Sequence, residues 1–298
     1  MIRTQKLYMK VCKQSKDLHT LTQEERMQLQ QHLRQMYVEV ERICSKHHLD
    51  VMLAYGSILG AVRHEGFIPW DDDIDLYMPR KDYDLFFSKY AKELPENYIT
   101  YAPNLLNGPI YRFGKIVDKD TLLLPPGEEN RKHHKGIYID VFPLENIGRN
   151  KLINQIKRLL SLILIYISGS VAQYENKSDI YKKLMLSNKT AAKNYRFRNC
   201  LGLIFSFCSS QRWYNIFDKF CRHTKETGFV YDPSGAYSWN PIPINKVLPV
   251  RKVSFDDIEA NIPNDPIYFL ERDFGNWEYI PKPEERWEHF IMDIKFKL

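Results

Sequence analysis

Between Val51 and Met78 the sequence reads VMLAYGSILGAVRHEGFIPWDDDIDLYM, and the spacing of its acids constrains the fold more than any other feature of the chain. An apolar run, Val51 to Tyr55, enters Gly56-Ser57 and a short helix-compatible segment. The chain then turns at Pro69 into a second apolar run that carries carboxylates. In Asp73-Ile74-Asp75-Leu76 the two-residue period of a strand places both acids on one face, with Ile74 and Leu76 packed into a core on the other. Bare, such a pair repels and one pKa is forced upward. A hard divalent cation would let both ionise, and magnesium would hold their oxygens at about 2.0–2.1 Å. Asp73 and Asp75 are therefore candidate metal ligands. At Gly56 the absence of a side chain lets the backbone bend and a phosphate approach, and Ser57 opens a helix whose N-terminus favours anions. A solvated acidic turn would be the plainer reading of Asp71 to Asp75. The alternation with apolar residues and the upstream Gly-Ser argue against it.

At 298 residues, with 44% hydrophobic and 13% aromatic content, the chain is long enough for one large domain or two small ones with a substantial core. Its five cysteines (12, 44, 200, 208, 221) form no C-x-x-C pair and are odd in number, which suits reduced, buried thiols in the cytoplasm. Met1 to Leu18 lacks the continuous apolar stretch of a signal peptide, so the expectation is a protein that is not secreted. Thr22 and Glu25 have capping-box spacing, and Leu29, Leu33, Met36, Val40 and Ile43 recur at helical steps, predicting one helix from about Gln23 to His47. His47 and His48 suit the end of that helix.

A helix is expected after Pro79, ending before Leu94-Pro95, with strands at Tyr98 to Tyr101, Tyr111 to Val117 and Gly136 to Val141. Asp140 is a lone carboxylate in the apolar run of the last of these, and must be either paired or functional. Pro125 to Lys135 reads as a loop. Its adjacent His133 and His134 have neither a nearby cysteine nor helical i, i+4 spacing for zinc, so a mobile basic loop over an anionic substrate is the better expectation.

The run Tyr55-Gly56-Ser57 through Leu59-Gly60-Ala61-Val62-Arg63-His64, followed by Gly66-Phe67-Ile68-Pro69-Trp70-Asp71-Asp72-Asp73-Ile74-Asp75, closely resembles the LicD family of phosphocholine transferases. Fukutin-related proteins share the pattern. The resemblance extends to Ile139-Asp140-Val141-Phe142-Pro143, to the segment around Lys115, and to a tail with Phe274-Gly275 in place of the family's Tyr-Gly, a proline loop and a late His289. It covers about residues 25 to 143 and 250 to 290. It implies an α+β nucleotidyltransferase-like mixed sheet, a Mg2+ site (Mn2+ is an alternative) on Asp73, Asp75 and Asp140, and donor-phosphate contacts from Gly56, Ser57, Arg63, Lys115 and His289, with Arg286 beside the last. A surface role for Lys115 and a structural pair for Asp140 stay open.

From Lys151 to Arg222 the chain carries 13 lysines and arginines against 3 acids, a net +10 within a total of +6. Two apolar runs in it, Leu159 to Ile167 and Leu201 to Cys208, fall short of the roughly 18–20 residues that span a bilayer. They fit buried core helices or helices lying at a membrane interface beside cations. Nucleic acid is not an expected partner, since no recognised binding motif accompanies the charge.

The expected organisation is a catalytic core in residues 1–149 and 227–298 with a basic helical region in 150–226. The resemblance implies transfer of a phospho-alcohol, phosphocholine first, from a CDP-linked donor to a hydroxyl of a cell-surface glycan, with release of CMP. The acceptor would be a lipopolysaccharide, teichoic acid or capsule precursor, lipid-linked in one version, at the inner face of the cytoplasmic membrane. Two rivals remain: a nucleotidyltransferase moving NMP to a small acceptor, and an inactive module binding nucleotide or glycan. Three retained acids argue against the inactive module.

Overall fold

Thr22 starts the first long helix as its spacing predicts. Its hydroxyl accepts from the Glu25 N–H at 3.2 Å, while the Glu25 carboxylate accepts from the Thr22 N–H at 2.8 Å. The computed structural model of the protein describes residues 3–105, 108–223, 225–234 and 241–298. In chain order its elements are α1 (Arg3–Cys12), α2 (Gln23–Lys46), β1 (Met52–Leu53), α3 (Tyr55–His64), β2 (Asp75–Pro79), α4 (Arg80–Leu85), β3 (Tyr98–Tyr101), β4 (Gly114–Asp118), β5 (Leu122–Leu124) and β6 (Tyr138–Asn146). Four helices follow: α5 (Lys151–Asn176), α6 (Asp179–Leu186), α7 (Lys189–Phe205) and α8 (Ser210–Cys221). The chain closes with β7 (Phe229–Tyr231), β8 (Ile242–Pro243), α9 (Ile244–Val247), β9 (Arg251–Phe255), β10 (Ile258–Ile262), α10 (Pro266–Phe274) and β11 (Asp293–Lys295).

This is an α+β protein built on a mixed sheet in the order β1-β2-β6-β4-β3, with β7 pairing the far end of β6 and β8 pairing β7. Strands β2 and β6 run parallel, with Asp75 beside Asp140; β4 runs antiparallel to β6, with Lys115 opposite Asp140. Three charged residues are thereby set side by side across the central strands.

The expected acid-bearing strand begins later than the alternation suggests. Strand β2 starts at Asp75, and Asp73 stands in an extended lead-in joined to the ladder through Asp140 N–H to Ile74 O at 3.3 Å. Ile74 and Leu76 are buried as the period predicts, at 1% and 0% exposure. The strand expected from Tyr111 begins at Gly114, and the one expected at 136–141 runs from Tyr138 to Asn146, because β2 extends its pairing to Leu144 and β7 to Asn146. The remaining strands, β5 and β7 to β11, are too short or too little alternating to be read from periodicity.

Helix α2 buries Leu29, Leu33, Met36, Val40 and Ile43 in one apolar cluster with Leu53, Leu76, Met78, Ile116, Ile139 and Val141 of the sheet. Phe255, Ile262, Phe269 and Leu270 from the tail belong to the same cluster, and β11 pairs with β5. The C-terminal segment thus completes the core that α2 begins.

For most of the basic region's two apolar runs the core reading does not hold. Leu159, Leu160 and Ile163 of α5 are exposed, as are Leu203, Ile204 and Phe207 at the end of α7. Helix α5, at 26 residues, is also longer than its apolar run suggested, and is long and apolar enough by length and composition to cross a membrane.

An ionic cluster helps fasten this region to the sheet. Arg80, at the start of α4, pairs through Nη1 with Glu145 of β6 at 2.8 Å and Asp218 of α8 at 2.6 Å, and through Nε with Asp84 at 3.1 Å. Arg222 joins the same group through Asp84 at 2.7 Å. Burial pushes the Glu145 carboxyl up to about 7 against the pull of Arg80. Arg80→Ala should therefore strand two buried carboxylates and destabilise the protein by about 3–5 kcal/mol, read as a lower urea midpoint. Arg80→Lys should recover little of the loss, because an ammonium cannot reproduce the guanidinium's fork. A midpoint unchanged in Arg80→Ala would show that the network does not hold the region in place.

Candidate active site

Acids from three consecutive odd positions, Asp71, Asp73 and Asp75, meet Asp140 from the neighbouring strand in a half-buried recess. The approach to it is fixed from α2, where the Gln30 side-chain amide donates to the Asp71 carbonyl at 2.9 Å. Burial, then the charge of Asp73, drives the Asp71 carboxyl well above its ordinary range. Asp75 is driven the same way by burial, Asp73 and Asp140. Asp73 is raised to about 6 by burial, with His289 opposing, and Asp140 is raised by burial with Lys115 opposing. Without a bound cation the group favours holding protons.

Two side chains act as internal counter-ions. Lys115 is 5% exposed and places Nζ 2.7 Å from Asp140 Oδ1 and 3.0 Å from the Tyr138 ring centroid. Burial lowers the Lys115 pKa while Asp140 raises it. Lys115 is thus no surface residue, and Asp140 is both paired and part of the acidic group. His289 hydrogen-bonds through Nδ1 to Asp72 Oδ1 at 2.6 Å. Burial opposes its charge, but Asp72, with Asp73 and Asp71 behind, lifts its pKa to about 10.

Helix α3 begins beside the acids. Tyr55 enters it with φ 45°, a left-handed backbone that costs a side-chain-bearing residue on the order of 1–3 kcal/mol. Its hydroxyl is anchored by the buried carboxylate of Asp232, which also accepts from the Ser234 N–H at 2.8 Å. No side chain caps this helix N-terminus. A Cβ on Gly56 would lie 3.4 Å from Asp71 Oδ2, so the glycine backbone borders the acids. Ser57 is buried and its hydroxyl accepts from the Asp75 N–H at 3.0 Å, fixing β2 to α3.

The remaining sequence-derived candidates fall elsewhere. Arg63 is committed to the tail, where Nη1 donates to the carbonyls of Trp277 at 2.7 Å and Tyr279 at 3.0 Å. Arg286 lies over the Trp70 ring, 4.0 Å from its centroid, which covers one face of that indole. Tyr77 is fully buried among Tyr55, Phe142 and Phe269, so it does not face a ligand. The loop from Pro125 to Lys135 is irregular as expected, and while Lys132 is exposed, Arg131 is packed down, pairing with Glu128 at 3.0 Å and lying over Tyr111. His133 is pushed down to about 3 by burial and Arg131. Asp71, Asp72 and Asp232 were not singled out by the alternation rule. The acidic triplet signalled the first two; nothing local signalled Asp232.

A divalent cation fits this donor set. Clustered carboxylates whose pKa values are raised by burial and, for Asp71, Asp73 and Asp75, by neighbouring acids are what a hard cation relieves, and oxygen donors suit magnesium or manganese. Asp72, Asp73 and His289 also bring one ligand atom each within 4.8 Å of one another. Because its Nδ1 faces the Asp72 carboxylate at 2.6 Å, His289 offers a hydrogen-bond donor there before it offers a lone pair.

Residues 48–155, which hold β1, α3, β2 and every acid of the recess, match the LicD/FKTN/FKRP nucleotidyltransferase domain family. The lipopolysaccharide cholinephosphotransferase LicD of Haemophilus influenzae is 31% identical over 106 residues, covering 35% of this chain and 38% of that protein. Uncharacterised proteins of Rickettsia prowazekii and Rickettsia typhi are each 36% identical over 50 residues, 17% of this chain and 19% and 16% of theirs. The chain thus aligns with well under half of each relative's length. The resemblance read from the Gly-Ser turn and the acids holds over this stretch: residues 48–155 are similar to the LicD/FKTN/FKRP nucleotidyltransferase domain.

Proposed function

We propose that the protein is a divalent-cation-dependent transferase that moves a phospho-alcohol, phosphocholine first among candidates, from a CDP-linked donor to a hydroxyl of a cell-surface glycan, releasing CMP. The observation that carries the reading is the recess itself: Asp71, Asp73, Asp75 and Asp140, each pushed up by burial and the first three also by neighbouring acids, stand beside an uncapped helix N-terminus in a stretch similar to the LicD domain. The curated relative named for transferring choline phosphate to lipopolysaccharide supports the choice of alcohol and acceptor.

Asp73, Asp75 and Asp140 would hold the Mg2+ or Mn2+. Bound there, the cation would supply charge neutralisation at the donor diphosphate and at the departing phosphate. The α3 N-terminus, with the Gly56 backbone, is placed to receive phosphate oxygens. Lys115 and His289 add positive charge on the flanks, and His289 also donates a proton in a hydrogen bond. A carboxylate of the cluster, Asp73 first, would accept the acceptor hydroxyl's proton.

A panel of CDP-choline, CDP-glycerol and CDP-ribitol, each with a glycan acceptor, tests the reading through CMP release. Asp73→Asn and Asp75→Asn should each lower turnover by at least a thousandfold while leaving the fold intact, since Ile74 and Leu76 carry the packing. Pyrophosphate release from an NTP, with no CMP from any CDP-alcohol, would favour the nucleotidyltransferase rival. Binding without either product would favour the inactive module.

Stability reports on the cation independently of turnover. An acid whose folded pKa is raised stabilises the fold while protonated, and this contribution is lost as pH rises from the ordinary value of 3.8 through the folded one, about 6 for Asp73. In chelator, wild type should lose stability relative to Asp75→Asn as pH is raised from about 4 to about 7. Excess Mg2+ at neutral pH should raise the wild-type melting temperature and leave Asp75→Asn unmoved. Equal responses of the two proteins to Mg2+ would remove the cation from this site.

A further inference from the structure

Helix α5 is packed the wrong way round for a soluble helix. Over its first four turns Leu152, Ile153, Ile156, Leu159, Leu160 and Ile163 fall on one arc at helical spacing, and all six are exposed, from 43% to 66%. Along the arc the residue turned fully inward is Ser161, at 0% exposure, and the buried apolar residues Ile167, Val171 and Ala172 come only past the arc, beside the equally buried Ser168. Each buried serine returns its hydroxyl to a carbonyl of its own helix, Ser161 to Arg158 at 2.9 Å and Ser168 to Ile165 at 3.1 Å, so both hydroxyls are buried without outside partners. A surface helix ordinarily does the reverse.

We propose that the first half of α5 lies in the headgroup boundary of an anionic lipid bilayer, with its Leu/Ile arc inserted and its cations on the flanks. The charge around the arc selects this occupant. Arg149, Lys151, Lys157 and Arg158 accompany it, and no acidic residue occurs from Asn146 to Tyr174. A second copy of the chain, docking by two-fold symmetry, would bring the same cations against themselves. Anionic headgroups complement them. A second exposed apolar group, Leu203, Ile204 and Phe207, lies in the same basic region.

Lying in the interface fits the packing better than spanning. The exposed arc from Leu152 to Ile163 covers 12 residues, a length of about 18 Å against a hydrocarbon core of about 30 Å, and Tyr166 already meets Asn194 of α7 at 3.3 Å. Beyond them α5 is held against α7 at Gly202, where a Cβ would come within 2.4 Å of the Ser170 carbonyl oxygen. Inserting the whole helix would strip that contact.

The test is flotation of the full chain with vesicles of phosphatidylcholine alone or mixed with phosphatidylglycerol. Wild type should float with the mixed vesicles at low salt, less at high salt, and little with the neutral ones. Replacing Lys151, Lys157 and Arg158 by Gln should lower partitioning on the order of a hundredfold, at about fivefold per cation. Replacing Leu152, Ile156, Leu159 and Ile163 by Ser should abolish flotation at every salt concentration. These side chains are exposed, so an unchanged urea midpoint is expected in both variants and separates lost docking from lost folding. Equal flotation with neutral vesicles, or none by wild type, would overturn the proposal. So would a concentration-dependent dimer without lipid that the Ser variant abolishes, which would assign the arc to a second copy. The readout uses no substrate and stands apart from the transferase reading.

Discussion

Repulsion among the carboxylates of Asp71, Asp73, Asp75 and Asp140 is the constraint to which the rest of the core is fitted. The parallel pairing of β2 with β6 forces Asp75 beside Asp140, and the antiparallel pairing of β4 brings Lys115 opposite Asp140 in the same row. The ammonium pairs with Asp140 and also pulls on Asp73 and Asp75, yet burial and neighbouring acids keep their carboxyls raised. His289 reaches the opposite flank only because the tail returns across the sheet and β11 pairs with β5. The core spends stability on this arrangement, as expected of a site whose charge complement arrives with ligands.

The supporting shell shows the same division of labour. Ser57 holds the Asp75 backbone, Gln30 holds that of Asp71, and Asp232 anchors Tyr55 at the strained entry to α3. None of these needs to touch a substrate to matter, because each fixes where a carboxylate or an N–H group points. Arg63, which the family pattern suggested for the donor, belongs with them: its hydrogen bonds secure Trp277 and Tyr279 of the returning tail.

How much of this was legible in the sequence follows from the range of each interaction. The α2 boundaries were, because capping and helical periodicity are local: Thr22, Glu25 and the buried residues from Leu29 to Ile43 lie within one segment. The side of the sheet taken by Ile74 and Leu76 was also legible, from a period of two. The start of β2 was not, since it depends on a partner strand more than sixty residues away. The Lys115–Asp140 pair and the Asp232 anchor were invisible for the same reason: register between distant strands, rather than composition, creates them. The acidic triplet announced a charged site but not which acids would converge, and Asp72 is distinguished from its neighbours only by facing His289.

Helix α5 illustrates a subtler limit. Its periodicity marks an apolar arc and a polar one, and both a core helix and an interfacial helix would be written that way. What decides between them is the side that packs, and that is a property of the neighbours. Small serines permit close approach on the polar side, as the buried Ser161 and Ser168 show, whereas the Leu/Ile arc would need an apolar surface that neither α7 nor α8 supplies along the first four turns. The helix is consequently held at its far end by tight packing against α7. An element fixed rigidly at one end and bare along an apolar arc is incomplete in water, just as the acids of the recess are incomplete without positive charge. In both places an uncompensated physical term in the isolated chain identifies the chemistry of what it meets.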